Sequence, residues 1–256
     1  MLKREFCYFL VALQFLTRIP VRSFDGFEAE WLDRSSKYFP LVGAIVGAIC
    51  AAVLLISAIV LPQPIPMLLA LIAGVAVTGA FHEDGLADTA DGLGGGHTVA
   101  QRLEIMKDSR IGTYGAVTLI LVLGLKFAGL ASLDPAMAAR ALIAAHAGGR
   151  LATVFAVYGM TYAGDADKAK VKPLATSLTQ LECLLAVALG LIPATCLLPF
   201  TTVCAGLGLG FCGAAVLALM SYKSIGGYTG DVLGAIEQVF ETAFLLGVVA
   251  VVAGPG

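Results

Sequence analysis

Residues 82–96 concentrate four acids and several glycines directly after an apolar run, 67–81. At about 100° per residue, Asp84, Asp88 and Asp91 fall within roughly 60° of one another on a helix. Like charges on one face repel unless a divalent cation binds among them, and carboxylate oxygens suit Mg²⁺ or Mn²⁺. The spacing therefore favours a metal site over the alternative, a solvated acidic helix end.

The composition of the chain is typical of a membrane protein. Of 256 residues, 59% are hydrophobic and 13% are charged, and the mean hydropathy is +0.90. A soluble domain carries about 25% charged residues. The first apolar stretch, 6–16, is too short to span and lacks a signal-peptide cleavage site, which predicts an interfacial or partial helix. The six cysteines show no paired spacing and are expected to be small core residues.

Apolar runs predict an all-α fold, a polytopic membrane helical bundle of about seven transmembrane helices. A span needs about 20 residues, so the short second and last runs are expected to be tilted, half-buried or re-entrant. The pattern indicates a single integral-membrane domain over residues 1–256. The predicted spans are 40–61, 66–82, 113–133, 136–159, 180–198, 200–221 and 240–253.

The lysines and arginines orient these spans. Every such residue in a loop falls on one face of the seven-helix arrangement, and the positive-inside rule makes that face cytoplasmic. The N-terminus is then cytoplasmic and the C-terminus external. The predicted cytoplasmic parts are an N-terminal segment, 1–39, which is also interfacial, and two active-site loops, 82–112 and 221–240.

Three basic residues fall inside the predicted spans. Arg140 is near an outer end and can extend to the membrane surface. Lys126 is near mid-span and requires a partner that the sequence does not identify. His146 and Arg150 are four residues apart and share a helix face, so structural pairing and an anion site both stay open for them.

The predicted loop 82–112 ends in a candidate phosphate-binding stretch. Thr98 and Gln101 predict a capping box that opens a short helix over 99–107. Lys107, Ser109 and Arg110 then precede the third span, and the N-terminus of a helix favours anions. A positive-inside anchor with a helix cap is the structural alternative.

The predicted loop 221–240 adds a second glycine-rich turn on the same face of the membrane. Residues 226–235 read GGYTGDVLGA and include one carboxylate, Asp231. Glu237 and Glu241 follow four residues apart, a like-charge spacing that costs a few tenths of a kcal/mol without a shared cation. This stretch could complete a metal or nucleotide site.

Acids for a divalent metal, cations for phosphate and glycines for close approach together indicate phosphoryl transfer, in which positioning and charge neutralisation dominate. No Ser-His-Asp or Cys-His pairing is apparent. A hydroxyl acceptor would then attack directly, helped by a carboxylate base. From the residues alone, we expect a metal-dependent membrane phosphotransferase that uses a diphosphate donor.

Three stretches extend this interpretation: HEDGLADTADG at 82–92, EIMKDSRIGTYG at 104–115 and GGYTGDVLGA at 226–235. They closely resemble the adenosylcobinamide-GDP ribazoletransferase (cobalamin synthase) family, as do 15–20 and 39–43, so the likeness covers about the whole chain. The resemblance implies a Mg²⁺-dependent enzyme, with Mn²⁺ as a substitute, in the bacterial cytoplasmic (inner) membrane with its site facing the cytoplasm. Its substrates would be a corrinoid nucleotide and α-ribazole or its 5′-phosphate, and GMP would leave.

Carried onto this chain, the resemblance implies roles for individual residues. The expected metal ligands are Glu83, Asp84, Asp88, Asp91 and Asp231. The expected catalytic residues are Asp88, Asp91, Lys107 and Arg110, with the two cations neutralising the phosphates. The expected substrate-binding residues are His82, Arg102, Ser109, Arg150, Gly227, Thr229 and Gly230. Membrane lipid is a further expected partner, a homo-oligomer is compatible with the sequence, and no nucleic-acid partner is expected.

Two other functions stay open. A cation- or proton-coupled transporter would place its charges near the bilayer midplane on broken helices in two repeats, whereas these acids cluster in predicted cytoplasmic loops. A CDP-alcohol-type phosphotransferase would share the D-x-x-D-G start found at 88–92. Its motif continues to an Ala-Arg pair, and Gly95-Gly96 stand here instead.

Overall fold

The computed structural model describes residues 2–21, 30–164 and 178–253. Within those ranges the chain is all-helical, apart from an isolated bridge between Tyr162 and Tyr228. A 3₁₀ turn, Ser36–Tyr38, joins the second and third helices. The helices are α1 Leu2–Leu16, α2 Glu30–Ser35, α3 Phe39–Ser57, α4 Ile65–Thr78, α5 Phe81–Gly95, α6 Val99–Met106, α7 Thr113–Ala131, α8 Pro135–Gly159, α9 Gln180–Leu197, α10 Phe200–Ile225 and α11 Gly230–Val252.

The predicted polytopic helical bundle is confirmed. In the described ranges, six helices are long and apolar enough to cross a membrane, and α4 with α5 brings the number to seven if the pair is one broken span. The last span differs from the prediction, because α10 runs to Ile225 and α11 starts at Gly230. The predicted loop 221–240 is therefore only a short turn, 226–229, between two long helices.

The chain turns sharply between α4 and α5. Gly79 and Ala80 both adopt left-handed backbone angles, which Gly tolerates without cost, and the two helix axes differ by 88°. The 14 residues of α4 are apolar, whereas α5 carries Glu83, Asp84, Asp88 and Asp91. Because charge in hydrocarbon is costly, we assign α5 to the membrane surface and α4 to the apolar arm that enters the bilayer.

Glycines allow the central helices to approach closely. A Cβ on Gly47 of α3 would lie 2.7 Å from the Ile143 Cα of α8. On the other side of the bundle, α10 packs on α11, where a Cβ at Gly210 would lie 2.9 Å from the Phe240 ring. Small residues at such contacts are typical of membrane helix packing. This packing leaves α8 and α11 as the most buried spans.

The N-terminal segment packs on the bundle. Val11, Ala12 and Leu16 of α1 are buried, as expected for a short helix that lies against other helices. The predicted N-terminal segment, 1–39, lies partly outside the described residues. In the described part, Lys37 is buried, with its Nζ 2.8 Å from Glu5 and 3.6 Å from Glu182. These ion pairs tie α1 and the 3₁₀ turn to the start of α9.

Candidate active site

The acidic helix α5 and the first turns of α11 touch through their backbones. A Cβ on Gly85 would lie 2.8 Å from the Asp231 carbonyl oxygen, and one on Gly234 would lie 3.2 Å from the His82 Cα. Both positions need a residue without a side chain for the helices to come this close. Sequence reasoning did not single out Gly85 or Gly234, although both lie inside the motifs it quoted. Their contact brings Asp231 beside the acids of α5.

Asp88 is the electrostatic centre of this acidic group. Burial first, and then the charges of Asp84, Asp231 and Asp91, raise the pKa of Asp88 to about 7. A carboxylate surrounded by carboxylates resists ionisation unless a cation offsets the repulsion. The structure thus brings together four of the five predicted metal ligands around Asp88.

Asp91 has a second, structural role that the sequence did not reveal. Its Oδ2 accepts the Gly112 backbone N–H at 2.7 Å, and its Oδ1 accepts the Gly115 N–H at 2.9 Å. The carboxylate therefore caps the N-terminus of α7, where the sequence predicted free amides for a substrate phosphate. Those two amides are occupied by Asp91, so this part of the anion-site prediction is wrong.

The predicted ligands do not form a tight cluster. Among the described residues, the group whose ligand atoms all lie within 4.8 Å of one another is His146, Glu237 and Glu241. Lys126 and Arg150 already pair with these carboxylates, and a divalent cation would compete with them. The oxygen-only donors of α5 and Asp231 fit Mg²⁺ better in chemistry, and their side chains would have to converge on binding it.

A buried ionic cluster lies behind the acidic helix, inside the spans. Glu237 is 2.6 Å from the Arg150 guanidinium and 2.9 Å from His82 Nε2. Glu241 is 2.5 Å from His146 Nδ1 and 2.6 Å from Lys126 Nζ. Each carboxylate is thus paired with basic side chains, which is the condition for burying it. The partner that Lys126 requires is therefore Glu241, together with the Gln238 side chain at 2.6 Å.

The cluster changes the interpretation of two predicted substrate contacts. Arg150 is 1% exposed and His82 is 4% exposed, and both face Glu237. Of the alternatives left open for His146 and Arg150, the geometry favours structural pairing. Glu237, too, is held in these ion pairs. It is not one of the acids whose charges act on Asp88.

The predicted phosphate-binding cations lie at the surface. Lys107, Ser109 and Arg110 are exposed, in the segment between α6 and the Asp91-capped end of α7. Arg110 donates to both carboxylate oxygens of Asp108, and this hydrogen bonding lowers the Asp108 pKa. An exposed ion pair of this kind contributes little to stability, so Arg110 can exchange Asp108 for a phosphate at small cost.

The turn 226–229 is fixed by a short backbone ladder. Tyr228 N–H donates to the Thr161 carbonyl at 2.9 Å, and Ala163 N–H donates to the Tyr228 carbonyl at 2.8 Å. A Cβ on Gly227 would collide with the Thr161 carbonyl, which gives Gly227 a steric role besides the predicted substrate contact. Residues 161–163 are thus a backbone partner of this turn.

The remaining predicted substrate-binding residues surround the acidic group. The Thr229 hydroxyl caps α11 by accepting the Val232 N–H at 3.3 Å. Gly230 is exposed and faces open space, as a substrate-facing position would. Arg102 donates to the Gly96 and Ser224 carbonyls at 3.0 and 2.7 Å, which ties α6 to the end of α10. The predicted capping box of Thr98 and Gln101 is confirmed.

Comparison with known proteins agrees with this site. The sequence profile of the family described as cobalamin-5-phosphate synthase matches residues 8–249. Proteins named adenosylcobinamide-GDP ribazoletransferase from Shewanella woodyi and Shewanella frigidimarina are 42% and 43% identical to this chain. The first alignment covers 96% of both chains, and the second covers 97% of this chain and 96% of the relative.

A third relative with the same name, from Leptothrix cholodnii, is 44% identical over 93% of each chain. No solved structure matches. Both the profile and the relatives extend over the acidic helix, the 104–115 stretch and the 226–235 turn. The chain therefore belongs to the cobalamin-5-phosphate synthase family.

Proposed function

We propose that this chain joins adenosylcobinamide-GDP to α-ribazole, or to its 5′-phosphate, and releases GMP. The observation that carries the proposal is the group of four carboxylates, Asp84, Asp88, Asp91 and Asp231, where α5 meets α11. The names and near-complete coverage of the relatives support the substrates. Such a group suits a reaction on a diphosphate, in which negative charge must be neutralised.

The reaction replaces one phosphorus–oxygen bond by another. A ribose hydroxyl of the acceptor attacks the phosphorus that is esterified to cobinamide. The anhydride bond to the GMP phosphate breaks, and GMP leaves with the electron pair. A carboxylate at the site accepts the hydroxyl proton. Lys107 and Arg110 are mobile enough at the surface to hold the departing phosphate charge.

The donor set fits a hard divalent cation. Asp84, Asp88 and Asp231 supply oxygen atoms only, and burial together with the neighbouring carboxylates raises the pKa of Asp88. Bound there, Mg²⁺ would polarise the diphosphate and lower its repulsion toward the acceptor. Asp91 is the poorest candidate ligand, because it already accepts two amides.

We assign the site to the cytoplasmic side of the bacterial inner membrane. The support is the one-sided placement of the loop lysines and arginines. The short turn 226–229 and the segment 107–112 then open on that side, where both nucleotide substrates are hydrophilic enough to arrive from water. The apolar outer faces of the spans contact lipid.

Purified protein in lipid, supplied with adenosylcobinamide-GDP, α-ribazole and Mg²⁺, tests the proposal. We expect GMP and a cobalamin product in equal amounts. No product, with CMP released instead from a CDP-alcohol when an acceptor alcohol is present, would replace the proposal by a CDP-alcohol-type phosphotransferase. Uptake of cations or protons into sealed vesicles without product would favour a transporter instead.

A further inference from the structure

The first turn of α5 is attached to α11 by two polar contacts that the proposed reaction does not use. His82 Nε2 lies 2.9 Å from Glu237 Oε2, and the Gln238 amide donates to Glu83 Oε1 at 3.1 Å. His82, Glu237 and Gln238 are each at most 4% exposed. Buried polar groups of this kind have few alternative partners, so their contacts define one geometry.

The two α11 residues in these contacts, Glu237 and Gln238, each bind a basic side chain from another helix as well. Arg150 of α8 lies 2.6 Å from Glu237, and Lys126 of α7 donates to Gln238 at 2.6 Å. The α11 residues that contact α5 are therefore held in place by two further spans, α7 and α8.

Three points hold the acidic helix in place. The first is the pair of contacts at His82 and Glu83. The second is the backbone contact between Gly85 and Asp231, and the third is the bond from Asp91 to the start of α7. Asp84 and Asp88 lie between these points. Because the chain turns by 88° immediately before α5, the first point fixes the end of the helix that lies nearest the turn.

We infer that Glu237 and Gln238 are positioning residues, which set the distance between the α5 carboxylates and Asp231 through His82 and Glu83. This inference rests on the proposed function. Residues that orient metal ligands typically change metal affinity or activity by about 10- to 100-fold when they are replaced. Loss of the contact should therefore weaken Mg²⁺ activation and lower turnover, beyond any loss of stability.

Glu237→Gln and Glu241→Gln form a matched pair for the test. Both acids are buried on α11 and belong to the same ionic cluster, but Glu241 pairs with α7 and α8 and does not contact α5. Each variant is assayed in lipid for GMP release against Mg²⁺ concentration, and its thermal unfolding is recorded. We expect about a tenfold rise in half-activating Mg²⁺ for Glu237→Gln. We expect a clearly smaller rise for Glu241→Gln, which reaches the anchors only through Lys126 and Arg150, at a similar loss of thermal stability. An equal effect in both variants, or none in either, overturns the inference.

A second pair keeps the test decisive if Glu237→Gln does not fold. His82→Gln retains a donor close to the position of Nε2, whereas His82→Leu removes it. We expect His82→Gln to keep most of the Mg²⁺ response and His82→Leu to lose it; equal responses contradict the inference. If the wild-type enzyme works equally well after chelation, the metal part of the proposed function fails instead. The difference in kcat between His82→Gln and His82→Leu then tests whether His82 positions the acidic helix.

Discussion

Gly85→Ala is the sharpest perturbation of the acidic site. The added Cβ would lie 2.8 Å from the Asp231 carbonyl oxygen and 3.0 Å from its Cα, whereas ordinary contact begins at 3.4 Å. Both obstacles are backbone atoms, which cannot rotate away. The helices α5 and α11 must therefore separate by about 0.6 Å at this point, and the α5 carboxylates move with them.

The expected effects on stability and activity differ in size. Ala in place of Gly gains about 0.8–1.0 kcal/mol of helix propensity, while overpacking a tight contact costs about 1–3 kcal/mol. The net loss of stability is then about 0–2 kcal/mol, small enough for the protein to fold. A displacement approaching 1 Å in a catalytic arrangement can lower the rate by about 100-fold, so we expect kcat to fall by roughly 10- to 100-fold.

The assay is GMP release by purified protein in lipid, with thermal unfolding measured in the same preparation. Gly208→Ala is the matched control, because it lies within helix α10 and a Cβ there meets no atom within 4 Å. It should keep wild-type turnover. Wild-type turnover in Gly85→Ala would refute the reasoning, since it would mean that the close α5–α11 contact does not set the position of the acids.

Three further predictions concern groups around the site. Asp91→Asn should lose part of the stability of the α7 cap, because Asn has one acceptor oxygen for the two N–H groups that Asp91 accepts, and Asp91→Ala should lose about 1–2 kcal/mol; complete loss of turnover in a folded Asp91→Asn would instead make Asp91 a metal ligand. Arg110→Lys should lower kcat/KM by about tenfold, equivalent to about 1.4 kcal/mol, because Lys cannot grip two phosphate oxygens, and Lys107→Arg should be milder; full activity in Arg110→Lys would leave Arg110 as a topological anchor. Mg²⁺ affinity, measured by titration calorimetry, should rise between pH 6 and 8 and then level off. The reason is that the pKa of Asp88 is raised to about 7, so at lower pH the metal must displace a proton from this carboxyl. An affinity independent of pH would contradict this.

Local pattern was enough to predict most helices and the position of the acids. The spans from α7 to α10 follow from long apolar runs, although α7 and α8 carry basic residues. The helix after Thr98 follows from its capping box. The helical spacing of Asp84, Asp88 and Asp91 also holds, since all three lie in α5. These features depend on residues that are near one another in the chain, and that is why the sequence alone revealed them.

The start of α11 was missed because its first turns are polar. A stretch that contains Glu237, Gln238 and Glu241 is typical of a loop, because charged and polar side chains are costly inside a membrane. They are tolerated there because Arg150 and two histidines from other helices pair with the two glutamates, and Lys126 hydrogen-bonds Gln238 and Glu241. That compensation depends on pairs that are far apart in the chain, which no local pattern reports.

The role of Asp91 was hidden for the same reason. Its shared face with Asp84 and Asp88 indicated a common ligand, but the face of a helix does not say which neighbour lies against it. The glycines at 112 and 115 are the signal that could have found the contact, because a Cβ at either position would overlap the Asp91 carboxylate. A glycine pair at the start of a span is a hint that an acid caps it.

The central claim is that the carboxylates where α5 meets α11 carry the transfer reaction, and the turnover of Asp88→Asn tests it most directly. The rate of GMP release from adenosylcobinamide-GDP with α-ribazole is measured at saturating Mg²⁺, in protein whose thermal unfolding shows it to be folded. The account predicts a rate at least about 100-fold below wild type, because the amide removes the central negative ligand. A folded Asp88→Asn enzyme with near wild-type GMP release would contradict it.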